Sequence, residues 1–134
     1  MSFKLVFLTG VDKSALLSRI IDKGYYLEAV IVPVSKKYEA KYSPVVELCA
    51  LNGIRLIQAS PKALYEETRN ISFDVIFSCG YPFVVPGPMI EKASSAINFH
   101  PALLPRHRGR YVHWVILDGD GESGTTAHYM DVNL

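Results

Sequence analysis

Short apolar segments alternate with segments of helical periodicity along the chain, and this alternation restricts the possible folds more than any other feature. Glycine, proline or polar residues close each apolar segment, as is typical of strands buried in a parallel sheet. The predicted strands cover residues 4–10, 27–34, 54–58, 73–80, 95–100 and 125–130. The fold class that follows is α/β, with a mostly parallel sheet and helices on both of its faces.

The helices between the strands are predicted from their capping signals. Asp12 is expected to cap the first helix, and Gly24 is expected to end it. Ser43 followed by Pro44 is a helix start signal, so the second helix is expected to begin there, after a polar loop over residues 35–43. Three further helices are predicted, over residues 60–69, 88–92 and 113–117.

Composition restricts the partners that the chain is expected to have. Its 134 residues suit one compact domain, and a hydrophobic fraction of 49% is enough for a core. The net charge of +1 argues against nucleic acid or a membrane surface as a partner. Cys49 and Cys79 lie in apolar segments without metal or redox spacing, and the N-terminal apolar segment is too short for a signal peptide. We therefore expect a cytoplasmic protein.

Three segments are expected to meet at one edge of the sheet. In parallel α/β sheets, ligands bind beyond the carboxyl ends of the strands. Those ends carry residues 9–14, 79–87 and 98–110. The sequence has no Gly-x-Gly-x-x-Gly dinucleotide fingerprint, so Gly10 is interpreted as part of a tight turn from strand to helix.

Asn98 and His100 are the candidate catalytic residues at this edge. They alternate along one predicted strand, so their side chains point to the same face. A histidine can take up a proton near neutral pH, and an asparagine amide can donate to a developing oxyanion. The pair therefore suits attack of an amine on a carbonyl. The alternative is a strand end with ordinary local hydrogen bonds.

The residues after His100 predict a stiff loop with apolar and basic side chains. Pro101 and Pro105 fix the backbone on either side of Leu103 and Leu104, which are then expected to form an apolar wall. Arginines at 106, 108 and 110 suit an anionic substrate, although a solvated basic surface is the alternative.

The motif around these residues resembles one known family. Asn98, His100, Leu104, Pro105, Arg108 and Gly109 match the pattern Asn-x-His-x-x-x-Leu-Pro-x-x-Arg-Gly, and "SGTTAHYMD" follows a Gly-Asp turn. "SPVVELCALNGIRLIQ" and "DVIFSCGYPFVVP" are similar to earlier segments of the same family. It is the family of formyltransferases that take their formyl group from 10-formyltetrahydrofolate. The resemblance covers nearly the whole chain and implies the Rossmann-like formyltransferase fold.

The resemblance also implies roles for particular residues. Asn98 and His100 match two members of the family's Asn–His–Asp catalytic set, and no metal is implied. The residues expected to contact the folate donor are Gly80, Tyr81, Pro82, Phe83, Val84, Val85, Leu103 and Leu104. The residues expected to contact the acceptor substrate are Pro105, Arg106, Arg108 and Gly109.

The third catalytic residue of the family is an aspartate that would come just after Leu134, and Asp131 matches an earlier aspartate instead. Residues 1–134 are therefore expected to be a formyltransferase catalytic domain that is incomplete at its C-terminus. Either a fragment of a longer enzyme or a short relative that no longer catalyses would explain this. Later helices of the family would cover apolar surface here, so we expect an exposed patch and self-association into a homo-oligomer.

The resemblance and the net charge both limit the choice of acceptor substrate. The family acts on methionyl-tRNA, nucleotide-linked amino sugars or glycinamide ribonucleotide. "DVIFSCGY" and "HWVILDGD" resemble the amino-sugar enzymes, while "YSPVVELCALNG" equally resembles the methionyl-tRNA enzyme. A net charge near zero argues against tight binding to the phosphates of a tRNA, so a sugar nucleotide is the expected acceptor. A binding module without catalysis, and a hydrolase that releases formate, are the other classes that the sequence allows.

Overall fold

The computed structural model describes residues 2–110 and 112–132 of the chain. The strands are β1 (Lys4–Leu8), β2 (Tyr26–Pro33), β3 (Leu56–Ala59), β4 (Val75–Cys79), β5 (Ser95–His100) and β6 (Thr126–Tyr129). The helices are α1 (Ser14–Asp22), α2 (Lys36–Asn52), α3 (Leu64–Thr68), α4 (Gly87–Lys92) and α5 (His113–Leu117). Leu134, after which the third catalytic aspartate of the family is expected, lies outside the described residues.

The strands of the described residues form one sheet in the order β3-β2-β1-β4-β5-β6. Neighbouring strands from β3 to β5 are parallel, and β6 alone is antiparallel to its neighbour β5. This arrangement confirms the predicted fold class. The strand order reverses between β1 and β4, and in such sheets the crevice at this reversal is the usual place for a ligand.

Helices cover both faces of the sheet because the central strands are apolar on both. In β1, Val6 and Leu8 pack on one side with Leu64 of α3 and Met89 of α4. Phe7, which points the other way, packs with α1 and α2. Each Å² of apolar surface that is buried contributes about 25 cal/mol to stability. Because the sheet buries apolar surface on both faces, this packing is the main source of stability.

The predicted loop over residues 35–43 and the predicted helix start at Ser43 and Pro44 are wrong. Helix α2 begins at Lys36 and carries Pro44 in its interior. Proline removes one helical hydrogen bond, but Ser43 Oγ donates to the Ala40 carbonyl, which is the group left without its usual partner. Tyr42 is buried and its hydroxyl donates to the Pro33 carbonyl at 2.9 Å. Tertiary packing therefore overrides the local start signal.

The C-terminal part of the described chain exposes large apolar side chains. Ile116 is 80% exposed on α5, and Tyr129 is 77% exposed on the edge strand β6. Large apolar side chains are therefore exposed in this part of the chain, and an apolar patch formed by them stays a prediction. Self-association stays a prediction that light scattering can check. Over the described residues, the helices are too short or too polar to cross a lipid bilayer.

Candidate active site

A cleft of about 870 Å³ lies beyond the carboxyl ends of β4 and β5. It brings together most of the residues that the sequence singled out. One wall comes from the segment after β4, and the other comes from the loop after β5. Its lining residues are Tyr81, Pro82, Phe83, Val84, Asn98, His100, Leu104, Pro105, Arg108, Gly109 and His128.

Strand β5 directs Asn98 and His100 into this cleft. Ala96, two residues earlier on the same strand, packs into the core layer of α3 and α4, so the alternation of the strand places all three on one face. The antiparallel neighbour β6 pairs His128 with Asn98 and Thr126 with His100. Cross-strand pairing therefore adds a second histidine directly beside the candidate asparagine.

The contact between Asn98 and His128 fixes the orientation of the asparagine amide. His128 Nδ1 lies 2.9 Å from the Tyr129 carbonyl, which can only accept, so Nδ1 carries the hydrogen. Nε2 of the neutral ring then accepts from Asn98 Nδ2 at 3.2 Å. This leaves the second Nδ2 hydrogen of Asn98 for another acceptor.

His100 is held by a main-chain group. Its Nε2 lies 3.0 Å from the His107 carbonyl oxygen and must donate to it. In the neutral ring, Nδ1 is then the nitrogen that can accept a proton. The His107 residue that supplies the carbonyl has a φ of 57°, in the left-handed region that costs a non-glycine residue about 1–2 kcal/mol.

Thr126 holds the loop that follows β5 and lines the cleft. Its hydroxyl donates to the Ala102 carbonyl at 2.7 Å and accepts from the Leu104 amide at 3.1 Å. The Leu104–Pro105 peptide bond is cis. One threonine on the edge strand thus connects both ends of this short turn, and Leu104 stays in the cleft.

The wall after β4 is set by close glycine contacts. The Gly10 amide donates to the Gly80 carbonyl at 3.0 Å, and a Cβ at Gly10 would lie 2.5 Å from Pro82 Cδ. Gly80 has a φ of 75° and faces Val11 just as closely. The Gly10 turn, which showed no dinucleotide pattern, therefore supports the cleft wall by its small size.

Residues of the same wall have different environments. Val84 is 80% exposed in the cleft, whereas Val85 is buried in the core. The Tyr81 hydroxyl is buried and has no hydrogen-bond partner among the described residues. Burial raises the pKa of Tyr81 to about 12, so the phenol stays protonated.

Besides Val85, which is buried, Leu103 and Arg106 were grouped with the site by the sequence but lie outside the cleft. Leu103 and Arg106 line a separate depression of about 270 Å³ beside α5. Arg106 pairs there with the Asp120 carboxylate. The structure therefore does not bring Leu103 and Arg106 together with His100, whereas Arg108 reaches the cleft.

The sequence analysis did not single out His107 and His128 as residues of the site. His107 is buried and its ring bonds Asp120 on the turn after α5. His128 alternates with Thr126 on a predicted strand, so period 2 alone predicts that they share a face. The sequence does not show that this strand pairs with β5, which is what places His128 beside Asn98.

The fold and site define a doubly wound α/β domain with an Asn-x-His pair in a cleft at the carboxyl edge of its sheet. The chain belongs to the formyl transferase family, whose model matches residues 4–134.

Two curated relatives are similar to the chain over most of its length. The chain is 31% identical over 141 residues to methionyl-tRNA formyltransferase of Clostridioides difficile, which covers 98% of the chain and 46% of the relative. It is 39% identical over 129 residues to GDP-perosamine N-formyltransferase of Brucella melitensis, which covers 93% of the chain and 49% of the relative. The chain thus spans about half the length of the curated relatives it matches.

Two solved structures share the fold. Glycinamide ribonucleotide transformylase 1 from Geobacillus kaustophilus aligns with a TM-score of 0.79 at 18% identity, over 98% of this chain and 76% of that chain. A 4-N formyltransferase from Francisella tularensis aligns with a TM-score of 0.69 at 22% identity, over 97% and 51%.

Proposed function

We propose that this chain is the catalytic part of an enzyme that transfers a formyl group from 10-formyltetrahydrofolate to the primary amine of a nucleotide-linked amino sugar. The observation that carries the proposal is the convergence of Asn98 and His100 on one cleft with an apolar wall. Membership in the formyl transferase family gives the reaction class.

The size and lining of the cleft support the ring system of a folate as its ligand. Its volume of about 870 Å³ suits a small molecule, and its wall carries the rings of Tyr81, Pro82 and Phe83 with the aliphatic Val84 and Leu104. Flat apolar side chains favour contact with a flat heterocycle. When bound, the folate supplies the formyl carbon that the amine attacks.

The two polar side chains then have complementary tasks. The free Nδ2 hydrogen of Asn98 donates to the formyl oxygen, on which negative charge builds during attack. His100 Nδ1 accepts the proton that the amine loses, because Nε2 is already donating to a carbonyl. The same proton passes from Nδ1 to the departing nitrogen when the bond to the donor breaks.

A sugar nucleotide is favoured as the acceptor by charge and by similarity. The identity to the GDP-perosamine enzyme is 39%, above the 31% to the first methionyl-tRNA enzyme. The net charge of +1 suits a small anion better than a tRNA backbone. Arg108 lies in the cleft and is exposed, so we assign it to the diphosphate of the acceptor.

A methionyl-tRNA acceptor is the second candidate, because that match extends over 98% of the chain. Formyl transfer from 10-formyltetrahydrofolate to a GDP-linked amino sugar and to methionyl-tRNA, measured side by side, tests the choice. Product from the tRNA alone would contradict the sugar assignment. Arg108→Ala is expected to raise the KM for the sugar nucleotide about tenfold, whereas the exposed Arg19→Ala on α1 serves as the matched control.

Donor binding separates an enzyme from a binding module and from a hydrolase. Calorimetric titration with 5-formyltetrahydrofolate, a stable mimic of the donor, should give binding to the wild-type chain and to His100→Ala. Turnover should fall by about a hundredfold or more in His100→Ala and Asn98→Ala. Turnover that survives both changes contradicts the assigned roles, and formate release without an amine identifies a hydrolase.

A further inference from the structure

The ring of His100 depends on a carbonyl whose position is fixed from two sides. The His107 carbonyl oxygen accepts from His100 Nε2 at 3.0 Å and from the Arg110 amide, also at 3.0 Å. The amide bond closes a turn over residues 107–110. The carbonyl therefore aims at His100 only while this turn keeps its shape.

The turn contains one residue in the left-handed region. His107 adopts a φ of 57°, which is uncommon for residues other than glycine, although asparagine, aspartate and histidine adopt it several times more often than the rest. Contacts with groups outside the turn stabilise such a conformation. The side chain of His107 can be held in this way, because it is surrounded by neighbouring groups and only 4% of it is exposed.

The His107 ring is held between two carboxylates of the turn after α5. Nε2 lies 2.6 Å from Asp120 Oδ2, and Nδ1 lies 3.6 Å from Asp118 Oδ2. The other oxygen of Asp120 accepts from Arg106. The Asp120 carboxylate is thus positioned by two hydrogen bonds while its side chain remains only 17% exposed. Hydrogen bonding to His107 lowers the pKa of Asp120, so the carboxylate stays ionised near neutral pH.

We propose that Asp120 is a positioning residue for His100 and acts through His107. The carboxylate holds the His107 ring, the ring holds the left-handed backbone, and the backbone carbonyl holds the Nε2 side of His100. This inference rests on the proposed function and deepens it, because it names the acidic group that orients the base.

The effect is one of geometry rather than of charge. The Asp120 carboxylate accepts hydrogen bonds from His107 and Arg106 and does not contact the His100 ring. The charged groups around the His107 ring are Arg106, Arg110, Asp118 and Asp120. Glu122 lines the same depression, but the carboxylates at the His107 ring are those of Asp118 and Asp120, so removing Glu122 serves as a matched removal of charge.

Nuclear magnetic resonance of the chain labelled with ¹⁵N-histidine tests the proposal without any turnover. In the wild-type chain, the Nε2 hydrogen of His100 should be visible because its hydrogen bond protects it from exchange with water. Asp120→Ala and His107→Phe should raise its exchange rate at least about tenfold, or remove the signal. Glu122→Ala should leave it unchanged.

His107→Gln is the rescue variant. The glutamine amide can donate to Asp120 from about the place of Nε2, so the His100 signal should survive in it, although phenylalanine abolishes it. Both substitutions put a non-glycine residue at the same φ, so backbone strain affects them alike. Circular dichroism and Trp114 fluorescence check that each variant folds, and this pair decides the question if Asp120→Ala does not fold.

Kinetics separates this inference from the proposed function. Asp120→Ala should lower kcat about ten- to a hundredfold with little change in the donor KM, as expected for a base misplaced by about 1 Å. Wild-type exchange of the His100 signal in both Asp120→Ala and His107→Phe overturns the positioning role. Equal loss of the signal in Glu122→Ala also overturns it, because charge would then be the cause. A wild-type chain that shows the expected exchange pattern but does not bind 5-formyltetrahydrofolate refutes the proposed function and leaves the positioning role intact.

Discussion

Replacing Gly10 by alanine should both destabilise the protein and deform the cleft. The added Cβ would lie 2.5 Å from Pro82 Cδ and 3.0 Å from Pro82 Cγ. Carbon atoms pack at about 3.5–4.0 Å, so the proline must move by about 1 Å or the β1–α1 turn must open. Overpacking of this kind costs about 1–3 kcal/mol. Because Pro82 belongs to the cleft wall, the same shift should weaken binding of 5-formyltetrahydrofolate about tenfold.

Gly53 and Gly121 provide control substitutions for Gly10→Ala. Gly53 ends α2 with a φ of 62° and an added Cβ would meet nothing within 4 Å. Gly53→Ala should therefore cost about 1–2 kcal/mol through backbone strain and leave binding unchanged. Gly121 has neither a positive φ nor a neighbour, so Gly121→Ala should change stability by less than about 1 kcal/mol.

Urea unfolding followed by circular dichroism gives the free energy of unfolding, and calorimetry gives the affinity. Loss of stability in Gly10→Ala without loss of affinity would mean that the turn does not position the wall. Wild-type stability and affinity in Gly10→Ala would refute the packing argument itself. Equal loss of affinity in Gly53→Ala would show that general instability weakens binding.

Three further predictions concern Tyr81, the two cysteines and Asp120. Tyr81→Phe removes a hydroxyl that lacks a partner in the described chain, so stability should stay equal or rise by about 1 kcal/mol, and a clear loss by urea unfolding would contradict this. Burial raises the pKa of Cys49 to about 11 and also raises that of Cys79, so iodoacetamide at about pH 8 should label neither until the chain is unfolded, as mass spectrometry can check. The pKa of Asp120 is lowered by its hydrogen bond from His107, so its contribution to stability is present above the ordinary pKa and lost as the pH falls through the folded value. Wild-type protein should thus lose more stability than Asp120→Asn between about pH 6 and about pH 3, and equal losses would contradict it.

The sequence by itself determined the strands, the fold class and the shared direction of Asn98 and His100. These depend on local chemistry: apolar runs bounded by glycine, and the period of 2 along a strand. The start of α2 could not be predicted in this way, because Tyr42 is buried in a core cluster with Phe7 and Leu17, which lie far from it along the chain, and this packing outweighs the signal at Pro44.

Only the tertiary structure decided which groups hold the candidate catalytic pair. His128 lies beside Asn98 because β6 pairs antiparallel with β5 in one register, and no local pattern fixes a register between separate strands. His107 reaches His100 through a main-chain carbonyl, a group that every residue has and that no motif marks. The side chains that carry the chemistry follow from periodicity, whereas their orientation follows from contacts that no local sequence pattern predicts.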